Sequence, residues 1–225
     1  MNLKNLKYMF FLLMTALVLS SCSETDDDSQ AEFANWQARN DQAFADTLAF
    51  ARQQINAGST EWKVIRNWSL NNQTGNKDQA GNQYTPSYND DDYIVVHVLG
   101  TGSSEVSPLY TDSIQMSYRG RLIPTTSYKD GYVYDQTFSG TYDATKALPT
   151  KGVANSWIDG FTTALQNMHV GDHWQVFIPQ NLGYGSEVKT GIPAYSMLRF
   201  ELILNGVKHG NGAWERNSGC TGVYG

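Results

Sequence analysis

Residues 177 to 185 read FIPQNLGYG: an alternating strand runs into proline, loops out and sets Tyr184 between Gly183 and Gly185. Flanking glycines strip the local backbone of side chains and permit φ > 0, so Tyr184 is the one large group there, free to project into something. A carboxylate stands next to an aromatic ring at Tyr134-Asp135; by itself that pair could simply cap a turn. No position offers a Ser–His–Asp nucleophile system. His97, His169, His173 and His209 have no metal-ligand spacing, so neither a metal nor another cofactor is expected. The chemistry on offer is hydrogen bonding by a phenol and a carboxylate beside aromatic surface.

Four alternating segments must position these groups. YIVVHVLG (93 to 100) runs into a glycine turn, and SIQMSYRGRLI (113 to 123) sets Ile114, Met116 and Tyr118 against Gln115, Ser117 and Arg119. HWQVFIP (173 to 179) alternates Trp174, Val176 and Ile178. MLRFELIL (197 to 204) alternates Leu198, Phe200, Leu202 and Leu204, with Arg199 and Glu201 outside. Half-buried strands of this kind predict a largely antiparallel sheet with one covered face. Between them WIDGFTTALQNM (157 to 168) repeats Ile158, Phe161, Leu165 and Met168 at helical spacing, one short helix able to cover that face. The fold class expected is α+β, a curved antiparallel sheet wrapped on a short helix.

Upstream, Phe33, Trp36, Ala43, Phe44, Thr47, Leu48, Ala51 and Ile55 fall mostly at three- and four-residue steps, and Ala57-Gly58 is the stop. This predicts an N-terminal helix over Ala31 to Asn56, ~26 residues and ~39 Å long. Its apolar stripe must rest on its own domain, on a second copy or on a client, and packing is the commoner answer. Residues 58 to 92 are polar apart from WKVIRNWSL (62 to 70), which reads either as a strand or as an extension of the helical part. Trp62 and Trp68 carry ring faces of the kind that stack on sugars, although paired tryptophans in a mixed segment are more often core. Apolar periodicity lapses over 71 to 92, so residues 93 to 207 are expected to fold without the helix, leaving 31 to 92 as an extension and 208 to 225 as a tail.

The order Tyr118-x-Gly120, Tyr134-Asp135, Ile158-x-Gly160-Phe161, Met168-x-x-Gly171, IP-x-x-x-x-YG (178 to 185), Ile192-Pro193 and Leu198-x-Phe200-x-x-x-Leu204 resembles the FKBP-type peptidyl-prolyl cis-trans isomerases. Any one element is weak; seven in order across 93 to 207 are specific. The resemblance implies that Tyr184 points into a shallow aromatic pocket. The residues carried over as catalytic are Tyr118, Asp135, Phe161, Tyr184 and Phe200. Substrate would also meet Tyr134, Trp157, Ile158 and Ile192, with Leu148 a looser wall position. Phe161 would form the floor, Phe200 and Tyr118 the walls, and Ile158 would present its backbone N–H. Tyr184 would hold the carbonyl before proline, and Asp135 would give polar contact at the rim. Proline-containing proteins or peptides are the implied partners, and a macrolide-type inhibitor would occupy the same pocket.

Such chemistry needs neither nucleophile nor metal. Rotation of a peptide bond costs ~18–20 kcal/mol because the twist breaks amide resonance. The twisted amide has lost charge separation that water stabilises, so an apolar cup favours it over the planar ground state. Two positions depart from the family pattern: the usual floor tryptophan is Phe161, and the usual phenylalanine before the aspartate is Tyr134, whose hydroxyl must find a partner. IPTTSYKDGY (123 to 132) also lengthens the preceding loop. The departures leave open a binding module of negligible catalysis beside the enzyme, and a carbohydrate-binding lipoprotein rests only on exposed aromatics and an inferred surface location.

Export is written at the start. Lys4 and Lys7 precede the apolar run Tyr8 to Leu19, and Leu19-Ser20-Ser21-Cys22 resembles a bacterial lipobox. That resemblance implies cleavage after residue 21, lipidation at Cys22, a membrane anchor and a location in the cell envelope, at the outer membrane. A transmembrane reading fails because the run is too short to span comfortably. SETDDDSQ (23 to 30) is a solvated acidic tether, and it also resembles the acidic stretch of surface-exported lipoproteins of the Bacteroidetes. Cleavage would take the formal charge from −6 to −8, and no basic stretch is present, which excludes a nucleic-acid partner. Once Cys22 is lipidated, Cys220 alone remains and no intramolecular disulfide is expected.

Overall fold

The computed structural model describes residues 32–71, 80–81 and 87–216, so Cys22, the lipobox and the acidic tether lie outside the described residues. Contacts divide the chain into Met1–Ala34 and Asn35–Gly225. The second unit is built from helix α1 (Trp36–Asn56), strands β1 (Trp62–Arg66), β2 (Tyr93–Gly100), β3 (Ser113–Arg121), β4 (Val133–Gln136) and β5 (Thr150–Val153), helix α2 (Asp159–Asn167), and strands β6 (His173–Ile178), β7 (Leu198–Lys208) and β8 (Glu215–Arg216). One antiparallel sheet runs β1-β2-β6-β7-β3-β4, with β5 also on β3 and β8 on β7. The architecture is the α+β arrangement expected.

The centre of the sheet is the long β3–β7 pair, whose register sets Tyr118 opposite Leu202 and Gly120 opposite Phe200. Alternation then turns Leu198, Phe200 and Leu202 toward α2, where Phe161, Leu165 and Met168 are 2%, 0% and 0% exposed. Gly160 lets the helix lie that close, since a Cβ there would stand 2.4 Å from Ile178 Cγ2. One expected alternation is incomplete. Gln115 and Ser117, set on the polar face, are also buried: Ser117 Oγ donates at 2.9 Å to Oδ1 of Asn205, the residue of β7 left unpaired where the register shifts between Gln115 and Met116.

The N-terminal region departs most from the sequence reading. α1 begins at Trp36 rather than at residue 31, because Asn35 sits at φ 51 in the left-handed region and ends the helical path there. WKVIR pairs with β2 from Trp62↔His97 to Arg66↔Tyr93, so it is a strand of the sheet, and the boundary drawn near 71–92 separates chain segments but not sheets. Ile94, Val95 and Val96 are all fully buried, so both faces of β2 are covered. On β6, Ile178 faces α2, while its neighbour Phe177 faces the opposite side with Trp62, whose ring meets Phe50 of α1 edge-on at 5.1 Å. The stripe of α1 thus rests on its own domain through Phe44, Leu48 and Ala51. Trp62 stacks on His97 at 4.5 Å and Trp68 tilts against Tyr110 at 4.5 Å, so both tryptophans serve packing.

Candidate active site: an aromatic cup

β3, α2 and β7 bring four rings together. Phe161 lies 4.8 Å from Phe200, 5.4 Å from Trp157 and 6.0 Å from Tyr118, mostly edge to face, the geometry that ring quadrupoles favour. Tyr118 also meets Phe200 at 6.2 Å and Trp157 at 6.3 Å, and Tyr134 closes the ring at 5.8 Å from Phe200. Phe161 is 2% exposed and lies at the base, Phe200 is buried beside it, and Tyr118, Tyr134 and Trp157 are half-buried around them.

The polar groups sit at the mouth. The Tyr118 hydroxyl donates to Asp135 Oδ2 at 2.6 Å, with the carboxylate itself exposed. Burial, then the bond to Asp135 and its charge, hold the Tyr118 phenol well above its ordinary range. Tyr184 is half-buried and lies close enough to add to that effect, and to raise Tyr134 alongside the larger cause, burial. Lys189 stands over the Tyr184 ring, 5.4 Å from its centre. Ile192 is 5% exposed and is held by paired backbone bonds with Lys189. Ile158 is the cap residue before α2; its carbonyl accepts from Phe161 and Thr162, while its own N–H has no backbone partner among the described residues.

Of the ten pocket residues named from the sequence, seven therefore lie on the β3, β4, α2, β7 and 184–192 segments that frame the cup, and two more, Trp157 and Ile158, stand immediately before α2. Leu148 does not join them. It is 71% exposed and lines a cavity of about 1020 Å³ bordered by residues between Gln136 and Leu148, none of them a ring of the cup. A residue that sequence reasoning missed is Thr137, whose Oγ1 accepts from the Tyr118 N–H at 2.9 Å and whose own N–H donates to the Tyr118 carbonyl at 2.8 Å. It fixes the backbone that aims Tyr118, and a single threonine two residues after Asp135 carries no sequence signal for that task.

Tyr134 bears out the concern about its extra hydroxyl. Its ring lies flat over Gly120, where a Cβ would come within 2.5 Å of Cε2, and its Oη is buried without a hydrogen-bond partner among the described residues. A buried hydroxyl left unmade costs about 1–3 kcal/mol. Tyr134→Phe should therefore stabilise the fold by about 1 kcal/mol and raise the melting temperature by ~2–4 °C. Calorimetry showing a lower melting temperature would mean that the hydroxyl is satisfied in solution.

Residues 105–205 match the family model described as FKBP-type peptidyl-prolyl cis-trans isomerase. The chain is 36% identical over 118 residues to a Trypanosoma cruzi protein named macrophage infectivity potentiator, covering 52% of this chain and 54% of that protein. It is 34% identical over 108 residues to the FKBP-type 22 kDa peptidyl-prolyl cis-trans isomerase of Escherichia coli (strain K12), covering 48% and 46%. The chain thus spans about half the length of the curated relatives it matches. A solved peptidyl-prolyl cis-trans isomerase from Pseudomonas syringae pv. tomato str. DC3000 superposes with a TM-score of 0.45 and 23% identity, over 73% of this chain and 96% of that one.

Proposed function

We propose that residues 105–205, an FKBP-type peptidyl-prolyl cis-trans isomerase segment, catalyse the rotation of X-Pro bonds in proline-containing proteins. The observation that carries this reading is the ring cluster with Phe161 at its base and the Tyr118–Asp135 pair at its mouth. A proline ring seated on Phe161 takes the X-Pro amide out of water, and the twisted amide, having lost its charge separation, loses less on entry than the planar one. Tyr184 donates its O–H to the carbonyl before proline and so holds one end of the bond while the other turns. Ile158 offers its backbone N–H at the cup's edge. Asp135, fixed by Tyr118, contributes a polar rim that stays hydrated.

The clients follow from the N-terminal motif: with Cys22 lipidated, the domain is held at the outer membrane of the cell envelope and acts on envelope or exported chains. Among the described residues no helix is long and apolar enough to cross a membrane. A chymotrypsin-coupled assay on X-Pro peptides tests the activity. The wild type should accelerate isomerisation at micromolar concentration, and Tyr184→Phe, which deletes one hydrogen bond worth ~0.5–1.5 kcal/mol, should slow it about threefold to tenfold. Peptide binding without acceleration would instead favour a chaperone-like binding module, the reading that the smaller floor residue Phe161 supports.

A further inference from the structure

Helix α1 grips the segment bearing Tyr184 and Ile192 at both of its stems. Before Tyr184, Gln180 Nε2 donates to Asp41 Oδ1 at 2.7 Å. After Ile192, Trp36 Nε1 donates to Ser196 Oγ at 2.8 Å, and the Met197 N–H donates to Asn40 Oδ1 at 2.8 Å. Trp36 and Asn40 lie one turn apart on one face of the helix, and Asp41 is the neighbour of Asn40 on its exposed side.

These bonds reach into the segment rather than ending at its base. The Ser196 hydroxyl passes the link on by donating to the carbonyl of Pro193, the neighbour of Ile192, at 2.6 Å. Tyr195 donates its N–H to the Gly185 carbonyl at 2.7 Å, tying the two limbs together beside Tyr184. Tyr195 also sits at φ 61, a left-handed conformation that a side chain disfavours and that persists only where the surroundings impose it.

Asn40 is the informative residue. It lies on the apolar stripe between Trp36 and Phe44 and is 2% exposed. A helix held only by apolar packing has no use for an amide there, since burying one is unfavourable unless its groups are bonded. Both are: Nδ2 donates to the Trp36 carbonyl at 2.7 Å and Oδ1 takes the Met197 N–H. A cleft of about 250 Å³ lies in the same seam, lined by Asn40, Phe44, Pro179, Gln180 and Met197 among others, so apolar filling alone does not attach the helix there.

We infer that α1 braces the substrate-binding segment 184–197, with Asn40 and Trp36 as positioning residues for Tyr184 and Ile192. The inference rests on the cup being the isomerase site, and its test separates the two. Full-chain Trp36→Phe, which removes the indole N–H and keeps a smaller aromatic ring, and Asn40→Ala are compared with wild type by amide hydrogen exchange and by X-Pro kinetics. Exchange over 184–197 should quicken about threefold to tenfold in both variants while β3 and β7 hold their protection. KM should rise by a similar factor with kcat changed less than about twofold. Asn40→Ala should cost less in a Tyr184→Phe background than alone, because both act through one side chain. Unchanged exchange over 184–197 in both variants, or independent losses in the double variant, would overturn the brace. If the wild type shows no isomerase activity, the functional reading fails while the exchange comparison still decides the brace.

Discussion

Phe161→Ala should slow X-Pro isomerisation about thirtyfold to a hundredfold, a loss of about 2–2.7 kcal/mol of transition-state stabilisation. Phe161 is the ring that Tyr118, Trp157 and Phe200 all contact, and at 2% exposure it shields the base of the cup from water. Truncation to alanine opens that base, so the planar amide keeps its hydration and the advantage of the twisted amide shrinks. The same truncation removes a core side chain at a cost of ~3–5 kcal/mol in stability, so kinetics must be read well below the variant's melting temperature. Phe161→Trp supplies the family's usual floor residue and should leave activity equal or higher. An alanine variant that stays folded and within threefold of wild type would remove the cup from the mechanism.

A chain beginning at Asp90 should melt about 6–24 °C lower than the chain that includes α1 and β1. Phe44 and Leu48 are 5% and 1% exposed against the sheet, and burial of each contributes ~1.5–3 kcal/mol. Together that is about 3–6 kcal/mol, against ~2–4 °C per kcal/mol for a domain of this size. Loss of β1 also turns β2, now paired along Trp62–Arg66, into an open edge of unpaired backbone groups. The remaining strands keep the β3–β7 centre and α2, so a cooperative transition should survive. An unchanged melting temperature would show that α1 and β1 are not part of the same cooperative unit.

The exposure of Asp135 makes the Tyr118 pair informative about the cup's mouth. A surface carboxylate gains little from a partner in water, yet this one takes a 2.6 Å bond from a phenol whose ring forms a wall of the cup. The bond therefore orients Tyr118 more than it stabilises the fold, and Thr137 fixes the same residue from its backbone side.

Sequence by itself determined the periodic and the ordered parts of this protein. Period-two runs placed β3, β6 and β7, a short apolar run placed β2, and the 158–161–165–168 repeat placed α2, because burial writes its own spacing. The ordered motifs located Tyr118, Tyr134, Asp135, Trp157, Ile158, Phe161, Tyr184, Ile192 and Phe200, since each stands within or beside one of seven short patterns met in a fixed order. Tertiary structure alone decided what each face meets. Trp62–Arg66 is too short and too mixed to declare itself a strand until β2 offers it an edge. Leu148 left the cup because no periodic element fixes the loop that carries it. The amide of Asn40 reads as a break in an apolar stripe until Met197, 157 residues away in the chain, supplies its donor. Local patterns record which side of an element is buried, whereas a hydrogen bond between distant segments leaves no periodic trace and exists only once the chain has closed.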